Sequence, residues 1–293
     1  MSSVDPEALG GRAYAMISEL AAISAEPGRL VRLFLTPEHR RAADLVAAWM
    51  QNAGLAVSED ALGTLRGRFG SARRRLLIGS HIDTVIDAGK YDGPLGVIAG
   101  ILAVEPFARA KAKLPFGIDV LAFGDEEGSR FPATMTSSSA CAGLFDSQAL
   151  AAADPSGVTL TAALRAYGKS PHDIAAAAYR PQDAAAYVEV HIEQGPVLEA
   201  KGEPLGIVTG IVGQSRFRVA VTGEAGHAGT VPMNLRRDAY AGAAEMAMAL
   251  EAIAREHPDD GMVGTVGHVE VTPGAVNIIP GRVVFTVDLR ALT

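Results

Sequence analysis

Three separated stretches of this 293-residue chain bring histidines together with carboxylates. Imidazole nitrogens and carboxylate oxygens, with no thiolate among them, are suitable ligands for Zn, Mn, Co or Ni. Two histidines, a shared aspartate and a glutamate fit a site for two metal ions, where a bound water ionises near neutral pH and becomes a nucleophile. The residues concerned are, in chain order, His81, Asp83, Asp92, Glu126, Glu127 and His191.

The spacing within each stretch adds detail to this hypothesis. Asp83 lies two positions after His81, where its carboxylate could hold the second imidazole nitrogen and fix the orientation of the ring. The adjacent Glu126 and Glu127 allow one carboxylate to bind metal while the other transfers protons. Each signal is weak by itself, because acidic pairs usually lie on solvated surfaces and a single histidine such as His191 is often an ordinary half-buried residue. Their combination favours a metal site.

The elements that would carry these residues alternate between strand and helix. Residues 76–78 form a short apolar run, an apolar helix is predicted from about residue 95 to 110, and residues 118–123 are again strand-like. This order predicts parallel pairing, and a further strand is predicted over residues 184–192. The carboxyl ends of parallel strands share one edge of the sheet, where open α/β sheets bind ligands. The histidines and acidic residues should therefore converge at that edge.

The pattern changes in the last third of the chain, where strands alternate between apolar and polar side chains. Such alternation indicates an antiparallel sheet with one solvated face, and residues 236–256 supply a long helix to cover the other face. We therefore predict an α/β catalytic domain over residues 1–212, with a mixed, largely parallel sheet flanked by helices, and a smaller α+β domain over residues 213–293. The alternating strands are residues 217–221, 262–271 and 283–289.

Composition argues against several functional classes. The net charge of −7 and the scattered basic residues, clustered only at residues 73–75, argue against nucleic acid as a partner. The longest apolar stretch, residues 95–104, is shorter than the about 20 residues that cross a bilayer, and residues 1–5 carry no secretory pattern. The single cysteine, Cys141, precludes an intramolecular disulfide and a cysteine-based zinc cluster. A cytoplasmic protein without membrane attachment is expected.

At its acidic and histidine motifs the sequence resembles the M20 family of dinuclear metallohydrolases, and within it the branch of allantoate amidohydrolases, N-carbamoyl-L-amino-acid hydrolases and β-ureidopropionases. The resemblance implies hydrolysis of the C–N bond of an N-carbamoyl-L-amino acid or a related ureido acid such as allantoate. It also implies a homodimer formed through the smaller domain, and two divalent ions per subunit, Zn or Mn with Co or Ni as alternatives. The matching stretches are residues 79–85, 91–93, 125–131, 191–199, 226–233, 277–281 and 288–290.

The resemblance also implies roles for individual residues. His81 and His191 would hold one ion, and Asp92 would bridge it to a second ion. Glu127 would bind that second ion, and Glu126 would act as the general base. A histidine at position 191 favours the ureido-hydrolysing branch, because the peptidase branches usually have a carboxylate there.

Four further residues would act on the substrate. His227 would reach the site of the partner subunit and stabilise the tetrahedral oxyanion. Asn277 and Arg290 would grip the substrate carboxylate, for which the forked guanidinium is well shaped. Gln194 would contact the ureido or carboxylate group.

The family pattern continues beyond Thr293, where a histidine in a glycine-rich turn supplies the remaining ligand of the second ion. The other histidines offer no replacement, because His39 and His172 lie in segments that look exposed, His257 ends a helix and His268 faces outward in a strand pattern. The chain therefore reads as a truncated member with an exposed apolar face. Two alternatives stay open: an M20 aminoacylase or metallopeptidase, and a catalytically inactive, dimerising fragment that lacks the last metal ligand.

Overall fold

The computed structural model describes residues 5–257 and 261–292. Predictions that concern residues 1–4 and Thr293 therefore lie outside the described residues. The chain divides into two compact units, one up to Gly195 and one from Pro196. The predicted boundary after residue 212 lies within the second unit, at the end of residues 203–212, which form no helix or strand and are exposed.

The first unit contains five strands and five α-helices among its described residues. In chain order they are α1 (Pro6–Ala21), α2 (Pro37–Asn52), β1 (Ala56–Glu59), β2 (Leu65–Phe69), β3 (Arg75–His81), α3 (Pro94–Arg109), β4 (Gly117–Phe123), α4 (Thr136–Cys141), α5 (Leu160–Ala166) and β5 (Ala184–Val188). Short 3₁₀ helices at Ser147–Ala151 and Pro171–Ala177 flank α5, in the Ala-rich region where the sequence pattern is irregular.

These strands form one mixed sheet in the order β1-β2-β4-β3-β5. β3 pairs in parallel with both β4 and β5, which confirms the predicted strand–helix–strand unit. β1 and β2 add an antiparallel hairpin that the sequence pattern does not predict. The reason is visible in β2, where only Leu65 and Gly67 are buried and arginines lie between and beyond them, so that no apolar run marks the strand.

The main core lies between this sheet and the helices α2 and α3. Val46, Met50, Val97, Ile101 and Val120 are at most 1% exposed. The α3 helix lies close to the sheet because Gly100 has no side chain, and a Cβ there would come within 3.0 Å of the Ile78 side chain. α3 therefore fixes the loop that precedes it against the carboxyl end of β3.

Helix α2 begins as its residues predict, and it corrects one prediction. The Thr36 side chain accepts a hydrogen bond from the His39 backbone N–H, and Pro37 occupies the first turn. His39 is 0% exposed rather than on the surface, and its Nδ1 lies 2.8 Å from the Tyr167 hydroxyl. Residues three and four positions apart share a helix face, so His39 lies on the same buried face as Ala42 and Ala43.

The second unit has the predicted antiparallel architecture. Strands β6 and β8 flank β10 on either side, and the helix α7 packs through Ala239 and Ala243 against Val283 and Phe285. The elements are α6 (Val197–Lys201), β6 (Gly213–Thr222), β7 (Gly226–His227), α7 (Ala239–Glu256), β8 (Val263–Thr272), β9 (Ile278–Ile279) and β10 (Arg282–Ala291), with a 3₁₀ turn at Met233–Leu235.

Apolar side chains are exposed in the stretch that begins the second unit. Ile207 is 93% exposed and Ile211 is 91% exposed. β5, at the edge of the first sheet, also exposes Tyr187 and Val188 by 45% and 47%. Within the described residues, no helix combines the length and the apolarity that a membrane span requires.

Candidate metal centre

Parallel pairing delivers the candidate ligands to one edge of the sheet. His81 is the last residue of β3 and is paired with Phe123, the last residue of β4. Glu126 and Glu127 follow β4 directly, and His191 follows the end of β5 by three residues. Because these strands run in the same direction, all three stretches emerge on the same side.

Asp92 reaches the same edge through the turn that starts α3. Gly93 follows it with a φ of +82°, and a Cβ at this position would lie 2.6 Å from both the Cε1 atom and the carbonyl oxygen of His81. A glycine is therefore required both by the backbone conformation and by the close approach. The turn brings Asp92 against the His81 ring.

His81, Asp92 and His191 form the first group with the composition of a metal site. The Asp92 Oδ1 atom lies 3.6 Å from His81 Nε2 and 3.1 Å from His191 Nε2. The two imidazole rings lie nearly parallel, with centroids 6.0 Å apart and an interplanar angle of 30°. One nitrogen or oxygen from each residue lies within 4.8 Å of the others, which is close enough for all three to hold one ion.

His81, Glu126 and Glu127 form a second group that meets the same 4.8 Å distance. The His81 Nε2 atom is 4.0 Å from Glu126 Oε2. His81 is buried, whereas the two glutamates are half-buried and face the same space. The two groups together form a continuous cluster with His81 at its centre.

Asp83, a buried residue, holds several members of this cluster in place. It is 1% exposed, and its carboxylate accepts the backbone N–H groups of Glu126 and Glu127 at 3.1 Å each. The His81 Nδ1 atom lies 3.4 Å from Asp83 Oδ1 and 3.1 Å from the Asp83 carbonyl oxygen. One buried carboxylate thus fixes the imidazole of one candidate ligand and the backbone of two others.

Asp125 anchors the loop that carries Glu126 and Glu127 from its other side. Its carboxylate accepts the Thr136 backbone N–H at 3.2 Å, and its own N–H donates to the Ser137 hydroxyl at 3.1 Å. Burial raises the pKa of Asp125 to about 7, against the opposing effect of the Thr136 hydrogen bonds. The start of α4 therefore holds the loop that presents the two glutamates.

The electrostatics of the cluster fit a bound cation. Burial works against a charged His81, yet Asp83 and Asp92 outweigh it and raise the pKa of His81 to about 11. The His81 hydrogen bond lowers the pKa of Asp92. Burial, with a contribution from neighbouring carboxylates, raises the pKa of Glu126 and of Glu127. Carboxylates outnumber imidazoles in this cluster, and a divalent ion would relieve their mutual repulsion.

Gln194 contacts this cluster as well. Its side-chain Nε2 donates to Asp92 Oδ2 at 2.8 Å, and its backbone has a φ of +56°. A left-handed conformation is costly for a residue with a side chain, and such conformations are often found at functional sites. Gln194 therefore lies beside a candidate ligand, where it orients the second carboxylate oxygen.

The second unit holds the other three predicted residues. His227 in β7 is exposed and pairs with Ile278, and the Asn277 carbonyl accepts the N–H that follows His227. Arg290 lies in β10, where its guanidinium donates to the Asp288 carboxylate at 2.9 Å. His227 and Asn277 are thus neighbours.

Arg290 is remote from that pair. The Ala239 N–H at the start of α7 bonds the Pro280 carbonyl next to β9, so the pair lies near the first residue of β10. Eight residues of extended strand separate Arg282 from Arg290, about 26 Å at 3.3 Å per residue. Asn277 and Arg290 of one chain therefore lie at opposite ends of the sheet.

Two residues that the sequence pattern did not single out, Glu189 and Arg32, form hydrogen bonds with the residues on either side of His81. Glu189 accepts the hydroxyl of Ser80, the residue before His81. Arg32 is 0% exposed and donates to the Ile82 carbonyl, between His81 and Asp83, at 2.7 Å. The position of Glu189 two residues before His191 could have marked it, because alternate residues of a strand lie on one face. An isolated arginine such as Arg32 carries no comparable signal.

Comparison with known proteins agrees with the resemblance in sequence. The profile of peptidase family M20/M25/M40 matches residues 77–282. Allantoate deiminase from Arabidopsis thaliana is 41% identical over 308 aligned residues, which cover 97% of this chain and 59% of that protein. N-carbamoyl-L-amino acid amidohydrolase from Geobacillus stearothermophilus is 44% identical over 287 residues, which cover 97% of this chain and 70% of that protein.

A solved structure is similar over the same range. The crystal structure of a hydantoinase/carbamoylase family amidase from Burkholderia ambifaria has a TM-score of 0.83 and 40% identity. The match covers 96% of this chain and 69% of that one. The chain thus spans between about 60% and 70% of the length of these relatives.

Proposed function

Because this chain belongs to peptidase family M20/M25/M40, we propose that it acts in the metal-dependent hydrolysis of a linear amide, the carbamoyl C–N bond of an N-carbamoyl-L-amino acid or a related ureido acid such as allantoate. The observation that carries the proposal is the convergence of His81, Asp92 and His191 with Glu126 and Glu127 at one sheet edge. The names of the relatives support a ureido substrate, because they include an allantoate deiminase and an N-carbamoyl-L-amino acid amidohydrolase.

The family is metal-dependent, and the proposed cofactor is a pair of divalent ions, Zn or Mn with Co or Ni as alternatives. His81 and His191 are proposed to hold one ion, Asp92 to bridge the pair and Glu127 to bind the second. The donor set supports this assignment, because it contains only imidazole nitrogens and carboxylate oxygens. When bound, the ions would polarise the carbonyl and lower the pKa of a water.

Glu126 is the proposed general base. It would take the proton of the attacking water and return it to the leaving nitrogen. Burial raises the pKa of Glu126, which makes its carboxylate a better proton acceptor than an ordinary glutamate. Its backbone is held by Asp83, while its side chain is half-buried and within 4.0 Å of His81.

The residues of the second unit are proposed to bind the substrate. His227 would stabilise the oxyanion, and Asn277 and Arg290 would hold the carboxylate. Because Asn277 and Arg290 lie at opposite ends of the sheet, a single carboxylate can contact both only if they come from two copies of the chain. This separation supports a homodimer formed through the second unit, with the unit up to Gly195 as the catalytic part.

We also propose that the protein is cytoplasmic. The one cysteine of the chain is buried, and its pKa is raised by that burial to about 11, so the thiol is unreactive. A fold that needs no disulfide is suited to a reducing compartment.

The test compares substrates and one substitution. The chain is loaded with Zn or Mn and assayed for ammonia release from allantoate and N-carbamoyl-L-amino acids, and for amino acid release from N-acyl amino acids and dipeptides. We expect ammonia release, and we expect Glu126→Gln to reduce it by about 10²- to 10⁴-fold with unchanged metal content, since general bases contribute about that much. Glu245→Gln, at an exposed position of α7, is the matched control.

Each alternative has its own outcome. Release from acyl amino acids or peptides alone would assign the chain to the aminoacylase or metallopeptidase branch. Absence of all turnover, together with metal content that His81→Ala does not change, would identify an inactive dimerising module. Turnover that survives Glu126→Gln would remove that residue from the role of base.

A further inference from the structure

The backbone pairing between β3 and β5 ends before it reaches the two histidines. The last paired residues are Ile78 and Val188. His81 and His191 each follow their last paired residue by three positions. The two imidazole rings have centroids 6.0 Å apart, and this separation is therefore set by contacts other than the backbone hydrogen bonds between β3 and β5.

Side-chain hydrogen bonds connect the two segments beyond the point where the backbone pairing of β3 and β5 ends. Ser80, 1% exposed and adjacent to His81, donates its hydroxyl to Glu189 Oε1 at 2.7 Å. Tyr187 donates its hydroxyl to the other oxygen, Glu189 Oε2, at 2.6 Å. The Tyr187 hydroxyl also lies 3.2 Å from the Gly79 carbonyl. The Ser80–Glu189 bond and the contact between the Tyr187 hydroxyl and the Gly79 carbonyl thus join the end of β3 to β5 and the residue after it, and the Tyr187–Glu189 bond fixes the carboxylate within that segment.

The first turn of α3 holds the same segment from another direction. A Cβ on Gly96 would lie 2.3 Å from the Val190 carbonyl oxygen and 2.7 Å from the Ser80 Cβ. The residue between Glu189 and His191 is therefore in close contact with the helix, and Ser80 lies beside it. These contacts leave the segment little room to move along the sheet edge.

We propose that Ser80, Glu189 and Tyr187 form a positioning clamp that sets the separation of His81 and His191 and thereby the affinity and geometry of the metal centre. The clamp rests on the proposed function, because it acts only through the two histidines. Hydrogen bonds to an ionised carboxylate are short and roughly twice as strong as neutral ones. Two of them on one carboxylate restrict both distance and direction, which a single bond would not.

The test measures metal binding rather than turnover. Co²⁺ is titrated into the full chain, its visible absorption bands report the ligand geometry, and competition with a chelator gives the dissociation constant. Residues that orient histidine ligands typically change metal affinity by about 10- to 100-fold when substituted. We expect Glu189→Ala to weaken Co²⁺ binding roughly tenfold and to shift the absorption bands.

Tyr187→Phe is the milder variant, and Tyr179→Phe is its matched control, because the Tyr179 hydroxyl also bonds a carboxylate, that of Asp119 in β4. Tyr187→Phe removes one hydroxyl and keeps the ring, so we expect a loss of affinity of about 3- to 10-fold. Tyr179→Phe removes a comparable bond, from its hydroxyl to Asp119 Oδ2 at 2.6 Å, away from the carboxyl-end edge. We expect it to leave the affinity and the Co²⁺ bands unchanged. Glu189→Gln, which keeps the length but only one acceptor oxygen and no charge, should recover only part of the affinity lost in Glu189→Ala.

The outcomes distinguish the clamp from the metal centre that it serves. If His81→Ala binds Co²⁺ as tightly as the unmodified chain, the proposed centre itself is wrong. If His81→Ala abolishes binding while Tyr187→Phe and Tyr179→Phe leave identical affinities and spectra, the centre stands and the clamp is refuted. Should Glu189→Ala fail to fold, the comparison of the two phenylalanine variants decides.

Discussion

Asp83 illustrates how strongly the candidate metal centre depends on residues that hold the candidate ligands in place. It was identifiable from sequence because it follows His81 at a spacing that suits an imidazole partner. Its second task, accepting the Glu126 and Glu127 N–H groups, was not identifiable, because it depends on how two loops meet. Residue type and position after a strand are local properties, whereas such contacts depend on the tertiary fold.

His39 is a second residue whose environment depends on the tertiary fold and is not evident from the sequence. Its chemistry suggests a surface residue, yet its ring is fully buried among cations. Burial, followed by the charges of Arg32 and Arg40, lowers the pKa of His39 to about 3. The helical spacing from His39 to Ala42 and Ala43 is present in the sequence, but histidine is usually only partly buried, so this spacing alone does not indicate a buried ring.

This buried histidine predicts a pH dependence of stability. Between pH 3 and about 6.5 the unfolded chain binds a proton at His39 that the folded protein does not, so the folded state loses stability as the pH falls below about 6.5. At pH 5 the loss from this residue is about 2 kcal/mol. His39→Gln cannot titrate, so its melting temperature should fall less between pH 7.5 and pH 5 than that of the unmodified chain.

The control for this prediction is His172→Gln, at an exposed position. It should show the pH dependence of the unmodified chain, because it leaves the buried His39 in place. Equal slopes for His39→Gln and the unmodified chain would contradict a neutral, buried His39.

Secondary-structure elements were predictable where the pattern is strong. β3, α3 and β4 follow from apolar runs at crossover spacing, and this unit alone brings His81 to the glutamate loop. The β1–β2 hairpin gives no such pattern, because its burial is partial and its strands are short. The strands β3 and β4, which lead to His81 and to the two glutamates, were thus easier to predict than β1 and β2, because most of their residues are buried.

The contact between α3 and the segment after β5 yields a prediction about an element. Gly96→Ala would place a methyl group 2.3 Å from the Val190 carbonyl oxygen, which must move. We expect a loss of about 1–3 kcal/mol in the free energy of unfolding, as for other overpacked sites, despite the helix preference of alanine. The displacement of Val190 should also weaken metal binding, because His191 is the next residue.

Gly10→Ala provides the matched control within α1. Its Cβ would meet nothing within 4 Å, so the same substitution should stabilise the chain by about 0.5–1 kcal/mol. Denaturant unfolding of both variants measures the two effects. Stabilisation by Gly96→Ala would mean that α3 does not press against Val190.

On the scale of the whole molecule, the two compact units divide the predicted site residues between them. The candidate metal ligands all lie in the unit up to Gly195, and His227, Asn277 and Arg290 lie in the other. Fold class and the antiparallel character of the second unit were predictable from the change in hydrophobic period. The change in hydrophobic period begins with β6, whereas the second compact unit begins at Pro196, so the pattern does not mark the division itself.

A ligand site confined to one unit predicts how metal affects stability. An ion that binds only the folded state stabilises it by about 2.7 kcal/mol when its concentration is 100 times the dissociation constant. For a unit of this size that corresponds to a rise in melting temperature of about 5–10 °C. The crowding of Asp83, Asp92, Glu126 and Glu127 around His81 adds to the effect, because the ion offsets their repulsion.

Differential scanning calorimetry with Zn or Mn, and then with excess chelator, measures this shift. His81→Ala belongs to both candidate groups and should abolish the shift, whereas His172→Ala, at an exposed position, should preserve it. If the units unfold separately, the metal should move only the transition that belongs to the unit up to Gly195. A shift confined to the other transition would assign the ions to different residues, because no group of three ligands was found in the described part of that unit.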